Sequence, residues 1–236
     1  MVYQWIDRVQ SWLYPARCTL CGAHGANGLD LCTGCRAELP YIQLACPRCG
    51  VPLPGDNAAI LCGQCQKHPP RYMRTLTLCR YASPTDHLIK SLKFQGKLAN
   101  ARLLGELLAA QLATRIEIPP QRIIPVPLHR SRLRERGFNQ AVELARPIAA
   151  HFGIPIDVSS CVRVRATEAQ STLPANQRQA NVHDAFRIRR PIKARHVAIL
   201  DDVITTGHTV NELARALRSS GVKVVEVWAV ARVEPD

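Results

Sequence analysis

Two adjacent carboxylates, Asp201 and Asp202, stand directly after the apolar run Val197-Ala198-Ile199-Leu200 and directly before Val203-Ile204-Thr205-Thr206-Gly207-His208-Thr209. Paired acids suit the hydroxyls of a ribose or a hydrated Mg²⁺. Thr205, Thr206 and Thr209 offer hydroxyl donors to an anion. Gly207 lets the backbone come close to a phosphate and can take a positive φ. Beyond the loop, Val210, Leu213, Ala214 and Leu217 fall at i, i+3, i+4 and i+7, the apolar stripe of a helix. The order is therefore buried strand, tight loop, helix. Open α/β sheets place anion sites there, at the carboxyl end of a strand under a helix N-terminus whose N–H groups and dipole face the ligand.

A second set of reactive side chains lies near the other end. Eight of the ten cysteines form four Cys-x-x-Cys pairs: Cys18/Cys21, Cys32/Cys35, Cys46/Cys49 and Cys62/Cys65. Each turn aims two thiolates at one ion, and two turns close a tetrahedral Zn–S₄ site. One redox pair is a familiar motif, but four pairs point to metal. Sequential pairing gives one site from the first four cysteines and one from the last four; crossed pairing is also compatible with the spacing. The module has few large apolar residues, so metal must supply its folding energy. His24 is expected in solvent, since eight cysteines already fill two sites.

The elements that position these groups read in order. Trp5, Ile6, Val9, Trp12 and Leu13 have helical spacing over residues 2–14, a helix that docks on the cysteine module and stops at Pro15. Residues 66–73 read as a linker, dividing the chain into an N-terminal helix and double zinc-ribbon module (1–70) and an α/β domain (71–236). Thr75–Tyr81 is a strand with Cys79 buried. A helix follows from Pro84 to Phe94, with Leu88, Ile89 and Leu92 inward, Lys90, Lys93 and Lys97 outward, and Gly96 as its stop. A longer helix covers about 99–115. Arg122–Val126 is a strand leading into an arginine-rich loop, Leu128–Arg136, with Arg130, Arg132, Arg134 and Arg136. Asn139 caps a helix to about His151, in which Pro147 predicts a kink or an early stop. Val158–Val164 and Ala185–Ile188 are short strands. The polar stretch 165–181 between them has the length of a functional lid. Val222–Val233 is a last strand, buried on both faces by its pattern.

Charge is unevenly spread. Residues 1–70 carry five Lys/Arg against four Asp/Glu, whereas 71–236 carry 26 against 14. The excess of the +13 chain thus lies with the phosphate loop and favours polyanionic ligands. The cysteine module is near neutral, which argues against its gripping nucleic acid by itself and for a structural or protein-docking role. No apolar run approaches a membrane span, so no membrane insertion is expected. Asp7 and Arg8 interrupt the N-terminal apolar residues, so no signal peptide is expected and a cytoplasmic location is.

The stretch from Val197 to Thr209 resembles the phosphoribosyl-diphosphate (PRPP) binding motif of type I phosphoribosyltransferases, with every fixed position filled. The resemblance implies that Asp201 and Asp202 hold the ribose hydroxyls and that Val203, Ile204, Thr205, Thr206, Gly207, His208 and Thr209 wrap the 5′-phosphate. Over nearly the full chain the sequence is similar to the ComF/GntX family. The zinc module, Ile89 to Lys97, Pro125-Val126-Pro127-Leu128, Arg136-Gly137-Phe138-Asn139-Gln140, and Thr167, Gln170, Leu173, Arg178, Asn181-Val182 and Ala185-Phe186 carry that similarity. It implies a parallel sheet flanked by helices after a Cys₄ zinc-ribbon module, Mg²⁺ as cofactor, and a link to natural competence and DNA uptake beside a helicase-like ATPase and DNA-processing proteins.

For a transferase of this kind, the arginine-rich loop suits the leaving pyrophosphate, with Arg130 and Arg136 foremost. Gln170 and Arg178 of the lid would reach the site. A binding protein of another class, a non-catalytic adaptor for PRPP, a nucleotide or single-stranded DNA, fits the same residues, because none of them identifies an acceptor.

Overall fold

The computed structural model describes residues 15–55, 60–165 and 184–234. The helix expected over 2–14 and nearly all of the 165–181 lid, including Gln170 and Arg178, lie outside those residues. Ahead of the first strand, the described residues include two short helices, α1 (Thr33–Ala37) and α2 (Gly63–Lys67), each beginning at a cysteine N-cap, Cys32 or Cys62.

The strands and helices that follow are β1 (Arg74–Arg80), α3 (Thr85–Gln95), α4 (Leu98–Ala113), β2 (Arg122–Pro125), α5 (Arg130–Arg136), α6 (Gln140–Phe152), β3 (Cys161–Arg163), β4 (Phe186–Ile188), β5 (His196–Ile204), α7 (His208–Ser219) and β6 (Val224–Arg232). Four strands form a parallel sheet in the order β1-β6-β5-β2. Ile123 and Ile156 add one further parallel bridge at the β2 edge. Strands β3 and β4 pair antiparallel as a separate ribbon.

A parallel sheet covered by helices must bury both faces, and alternation along β5 shows how. Ala198 and Leu200 join the core under α3, α4 and α6, built from Leu88, Leu92, Leu104, Leu108 and Leu144. Val197 and Ile199 face the other way, into the core beneath α7 with Val210, Leu213 and Leu217. Helix α6, which follows β2 and α5, and helix α7, which follows β5, thus cover opposite faces. A crevice therefore opens between the carboxyl ends of these neighbouring strands, where doubly wound sheets bind ligands.

Three expectations need correction. The arginine-rich stretch is a helix, because His129 accepts the Ser131 amide at its start and Gly137, with φ 81°, ends it. Helix α6 neither stops nor breaks off at Pro147 but runs to Phe152; the ring occupies space left by Gly105, where a Cβ would come within 2.4 Å of Pro147 Cγ. The strand expected over Val158–Val164 shrinks to Cys161–Arg163, since Asp157 Oδ1 accepts the Ser159 and Ser160 amides and turns the chain first. The 66–73 linker packs on the sheet domain: Tyr72 is 3% exposed and the Arg71 amide donates to Asn211 Oδ1 at 2.7 Å.

Strand β6 carries two buried charges that its apolar pattern hides. Glu226 accepts from Arg74 (2.9 Å), contacts the His196 ring (2.9 Å) and accepts from Trp228 Nε1 (3.3 Å). Arg232 is taken up below. Trp228, fully buried, stacks near Phe152 at 6.3 Å between ring centroids. Trp228→Ala is expected to cost about 3–5 kcal/mol through the cavity it leaves, measurable by urea denaturation.

Candidate functional site

The strand that ends in the two acids is longer than the motif alone suggests. β5 runs through Asp201 and Asp202 to Ile204, which confines the loop to Thr205, Thr206 and Gly207. Gly207 stands at the N-cap of α7 with φ 81° and ψ 0°, a conformation that disfavours any side chain. His208 and Thr209 already belong to the first turn of α7. The structure therefore brings Val203 to Thr209 together in one tight strand-to-helix connection beside the acids.

The period of the strand sends the acids to opposite faces. Asp202 is 3% exposed and faces α3 and α6. It forms an ion pair with Lys93, and Gln140 Nε2 reaches its Oδ1 at 3.4 Å. Gln140 Oε1 in turn accepts from Arg136 at 2.5 Å, so a chain of polar contacts links Arg136, Gln140, Asp202 and Lys93. Lys93 is thus turned into the site, correcting the outward assignment. Burial pulls its pKa down, but the Asp202 charge outweighs this and holds it above the usual lysine value. Burial likewise opposes ionisation of Asp202, yet the Lys93 ammonium keeps its carboxyl below the usual range.

Asp201 is half-buried; burial and the Asp202 charge push its pKa well up, against the smaller opposing pull of the Lys93 charge. Its Oδ1 accepts the Asp202 amide at 2.9 Å. Arg163 on β3 feels the Asp201 charge, although burial pulls its pKa down overall.

Of the four arginines, Arg132 and Arg136 are half-buried, while Arg130 and Arg134 are exposed. Arg136 feels the Asp202 charge. Arg130 instead lines a cavity of about 650 Å³ with Leu133, Val142, Val162 and Arg163, between α5, α6 and β3. Helical rather than extended backbone explains the split, because residues four apart share a face.

Lys93, Gln140, Arg163 and Arg232 are the neighbours that sequence reasoning leaves without a role. Lys93 carried a signal: it lies four residues after Ile89 and so continues the apolar stripe of α3 one turn further. Arg232 carried another, a charge inside a strand buried on both faces. Its guanidinium is 6% exposed and donates to the carbonyls of Ile204 (3.0 Å), Thr205 and Val233 (2.9 Å), and through Nε to Cys49 O (3.1 Å).

The cysteines gather in sequential pairing. Sγ atoms of Cys18, Cys21, Cys32 and Cys35 lie within 4.8 Å of one another, as do those of Cys46, Cys49, Cys62 and Cys65. Four thiolates about 2.3 Å from a tetrahedral zinc stand roughly 3.8 Å apart. The separations of 3.7 Å for Cys21–Cys32 and 3.6 Å for Cys49–Cys62 fit that ion. Burial raises the thiols of Cys18 and Cys46, but backbone N–H donors, led by Cys32 and Cys62 respectively, outweigh it and bring them to about 6 and about 7. The lowered values ready each cluster to give up a thiol proton to a metal.

Comparison with known proteins agrees with this architecture. The double zinc ribbon domain family matches residues 9–66 and the phosphoribosyl transferase domain family matches residues 139–234. DNA utilization protein YhgH of Escherichia coli (strain K12) is 38% identical over 224 residues, covering 92% of this chain and 97% of the relative. Competence protein F of Haemophilus influenzae is 35% identical over 230 residues, covering 92% and 96%. Competence protein ComFC of Bacillus subtilis is 25% identical over 201 residues, covering 81% and 79%. Among solved structures, the L. donovani hypoxanthine-guanine phosphoribosyl transferase superposes with a TM-score of 0.35 at 15% identity, over 56% of this chain and 71% of that one, which is too loose to add to the argument. With its paired Cys₄ ribbons ahead of a type I phosphoribosyltransferase sheet, and relatives matching almost end to end, this chain belongs to the ComF/GntX family.

Proposed function

We propose that the crevice at the carboxyl ends of β2 and β5 binds PRPP and transfers its phosphoribosyl group to an acceptor, releasing pyrophosphate. The observation that carries this reading is the Thr205-Thr206-Gly207 connection, set at the N-terminus of α7 one residue beyond the strand that presents both acids. In it the 5′-phosphate takes Val203 to Thr209 and the α7 dipole. Asp201 and Asp202 take the ribose hydroxyls. Arg136 and Lys93, the cations nearest Asp202, face the diphosphate, with Arg130 at the mouth of the neighbouring cavity.

Mg²⁺ fits this set, since it binds by one or two carboxylates together with substrate oxygens and Asp201 is half-exposed at the crevice. When bound it neutralises pyrophosphate charge. The residues do the rest. The C1′–O bond to diphosphate breaks with its electron pair leaving on pyrophosphate, a lone pair on the acceptor forms the new bond to C1′, and the acceptor proton passes to water. Rigid placement of ribose and 5′-phosphate supplies most of the rate, and the preset cations stabilise the leaving charge. The 650 Å³ cavity, walled by Leu133, Val142 and Val162 and bordered by Arg163, is the space we assign to the acceptor.

The relatives' names, DNA utilization protein and competence protein, support a role in DNA uptake or in the use of DNA-derived nucleotides. A cytoplasmic location fits eight thiols that must stay reduced. No described helix is long and apolar enough to cross a membrane. The test is pyrophosphate release from PRPP and Mg²⁺ across a panel of nucleobases and single-stranded DNA. Release with at least one acceptor is expected. Binding of PRPP without release in every case would make the chain an adaptor instead.

A further inference from the structure

We infer that Arg232 is a positioning residue that couples the second zinc ribbon to the phosphate loop, so that zinc held by Cys46, Cys49, Cys62 and Cys65 and PRPP held at Thr205–Thr209 stabilise each other. The inference rests on the PRPP reading above. It starts from one buried guanidinium, which at its Nη1 end holds the carbonyls of Ile204 and Thr205, the entry to the phosphate loop, and at Nε holds the carbonyl of Cys49, a residue of the metal knuckle. A planar fork fixed at both ends transmits position from one group of carbonyls to the other.

The knuckle itself is built against the same sheet. The Gly50 amide donates to Cys46 O at 2.9 Å, closing the turn, and the Thr75 amide of β1 donates to Pro47 O at 3.1 Å. Gly50 has φ 71°, and a Cβ there would meet Thr75 Cγ2 at 2.8 Å, so the knuckle sits on β1 without room for a side chain. A parallel route runs through Arg48, which donates to Tyr72 O at 2.8 Å. The Tyr72 hydroxyl reaches to within 3.6 Å of where a Cβ on Gly207 would lie. From the same segment the Arg71 amide holds Asn211 of α7.

The first ribbon has no such connection among the described contacts. It packs on α4, where Thr19 Oγ1 meets Asn100 Oδ1 at 3.1 Å and Arg102 reaches Gly28 O at 3.5 Å. Loss of zinc from the second site releases the Cys46–Cys49 turn and withdraws the Cys49 carbonyl from Arg232. Coupling of two sites is reciprocal in binding free energy, so PRPP must raise the zinc affinity of the second site and leave that of the first unchanged.

The test uses the full-length protein loaded with two zinc equivalents and titrated to equilibrium with a competing chelator, with and without PRPP and Mg²⁺. Release is followed colorimetrically, and alkylation of freed thiols with mass spectrometry identifies the site. PRPP is expected to raise zinc affinity at the Cys46/Cys49/Cys62/Cys65 site about tenfold, within the usual range of coupling, with no change at Cys18/Cys21/Cys32/Cys35. Arg232→Lys, which keeps the charge but cannot span both carbonyl groups, is expected to bind PRPP more weakly and to lose the gain in zinc affinity. Calorimetric PRPP binding by the wild-type chain with unchanged zinc affinity at both sites overturns the coupling alone. Absence of PRPP binding overturns the PRPP reading and the coupling with it.

Discussion

Asp202→Asn is expected to weaken PRPP binding by about 100-fold or more and to lower the stability of the free protein by about 3–5 kcal/mol. Both effects come from the same burial. Asp202 is 3% exposed and is the counter-ion of Lys93, whose side chain is 22% exposed. An asparagine leaves that ammonium largely desolvated with no negative partner, and an orphaned buried charge costs far more than an intact pair contributes. It also removes the charge that would meet a ribose hydroxyl and that Arg136 and Gln140 are ordered around. The double substitution Asp202→Asn with Lys93→Met separates the two roles. Stability should return to within about 1 kcal/mol of the wild type, because an apolar replacement of a buried pair is close to neutral, while PRPP binding stays lost. Asp201→Asn is the contrasting case. Its ionised form is disfavoured by burial and by Asp202, so the amide should cost little stability and act on PRPP binding alone. Urea denaturation and titration calorimetry read the two columns separately.

Removing the second zinc site is the other large effect. Cys65→Ser is expected to lower bound zinc from two equivalents to one and to unfold the region around Cys46–Cys65, seen by metal analysis and by new proteolytic cleavage there. The small core of this ribbon contains Cys46, Val51 and Cys65, with Cys49, Leu53, Leu61 and Cys62 against it. Without the cysteines only Val51, Leu53 and Leu61 remain, too little apolar surface to offset chain entropy. Structural zinc supplies about 10–16 kcal/mol in zinc-finger peptides at neutral pH, a scale that exceeds what those three side chains contribute. The sheet should survive, since its two large cores draw nothing from Cys46, Cys49, Cys62 or Cys65. The first ribbon is embedded differently, with Cys18, Leu31 and Leu39 in the same cluster as Leu103 and Leu104 of α4. Loss of zinc there is expected to destabilise the sheet domain as well.

Much of this arrangement could be read from local pattern. The apolar run, acids and glycine announce strand, loop and helix; Leu88, Ile89 and Leu92 announce α3; Asn139 caps α6 through its acceptance of the Ala141 amide at 3.0 Å. Four Cys-x-x-Cys pairs announce metal. What resisted reading depends on contacts between distant segments. Lys93 looks like one of three exposed lysines until Asp202 is placed beneath it. Arg130 to Arg136 alternate like a loop or strand, and only the flanking cap residues His129 and Gly137 betray a helix that divides the arginines between two faces. Pro147 reads as a helix breaker because the facing Gly105 lies 42 positions away in sequence. Arg232 reads as the tail of an apolar strand, whereas its partners come from β5 and from a metal knuckle 183 residues upstream.

The most direct measurement is calorimetric titration of the full-length, zinc-loaded chain with PRPP in the presence of Mg²⁺, for the wild type and Asp202→Asn side by side. Saturable binding of one PRPP per chain, lost in the variant, is the expected result. No binding by the wild-type chain, or equal binding by Asp202→Asn, contradicts the placement of PRPP at the end of β5.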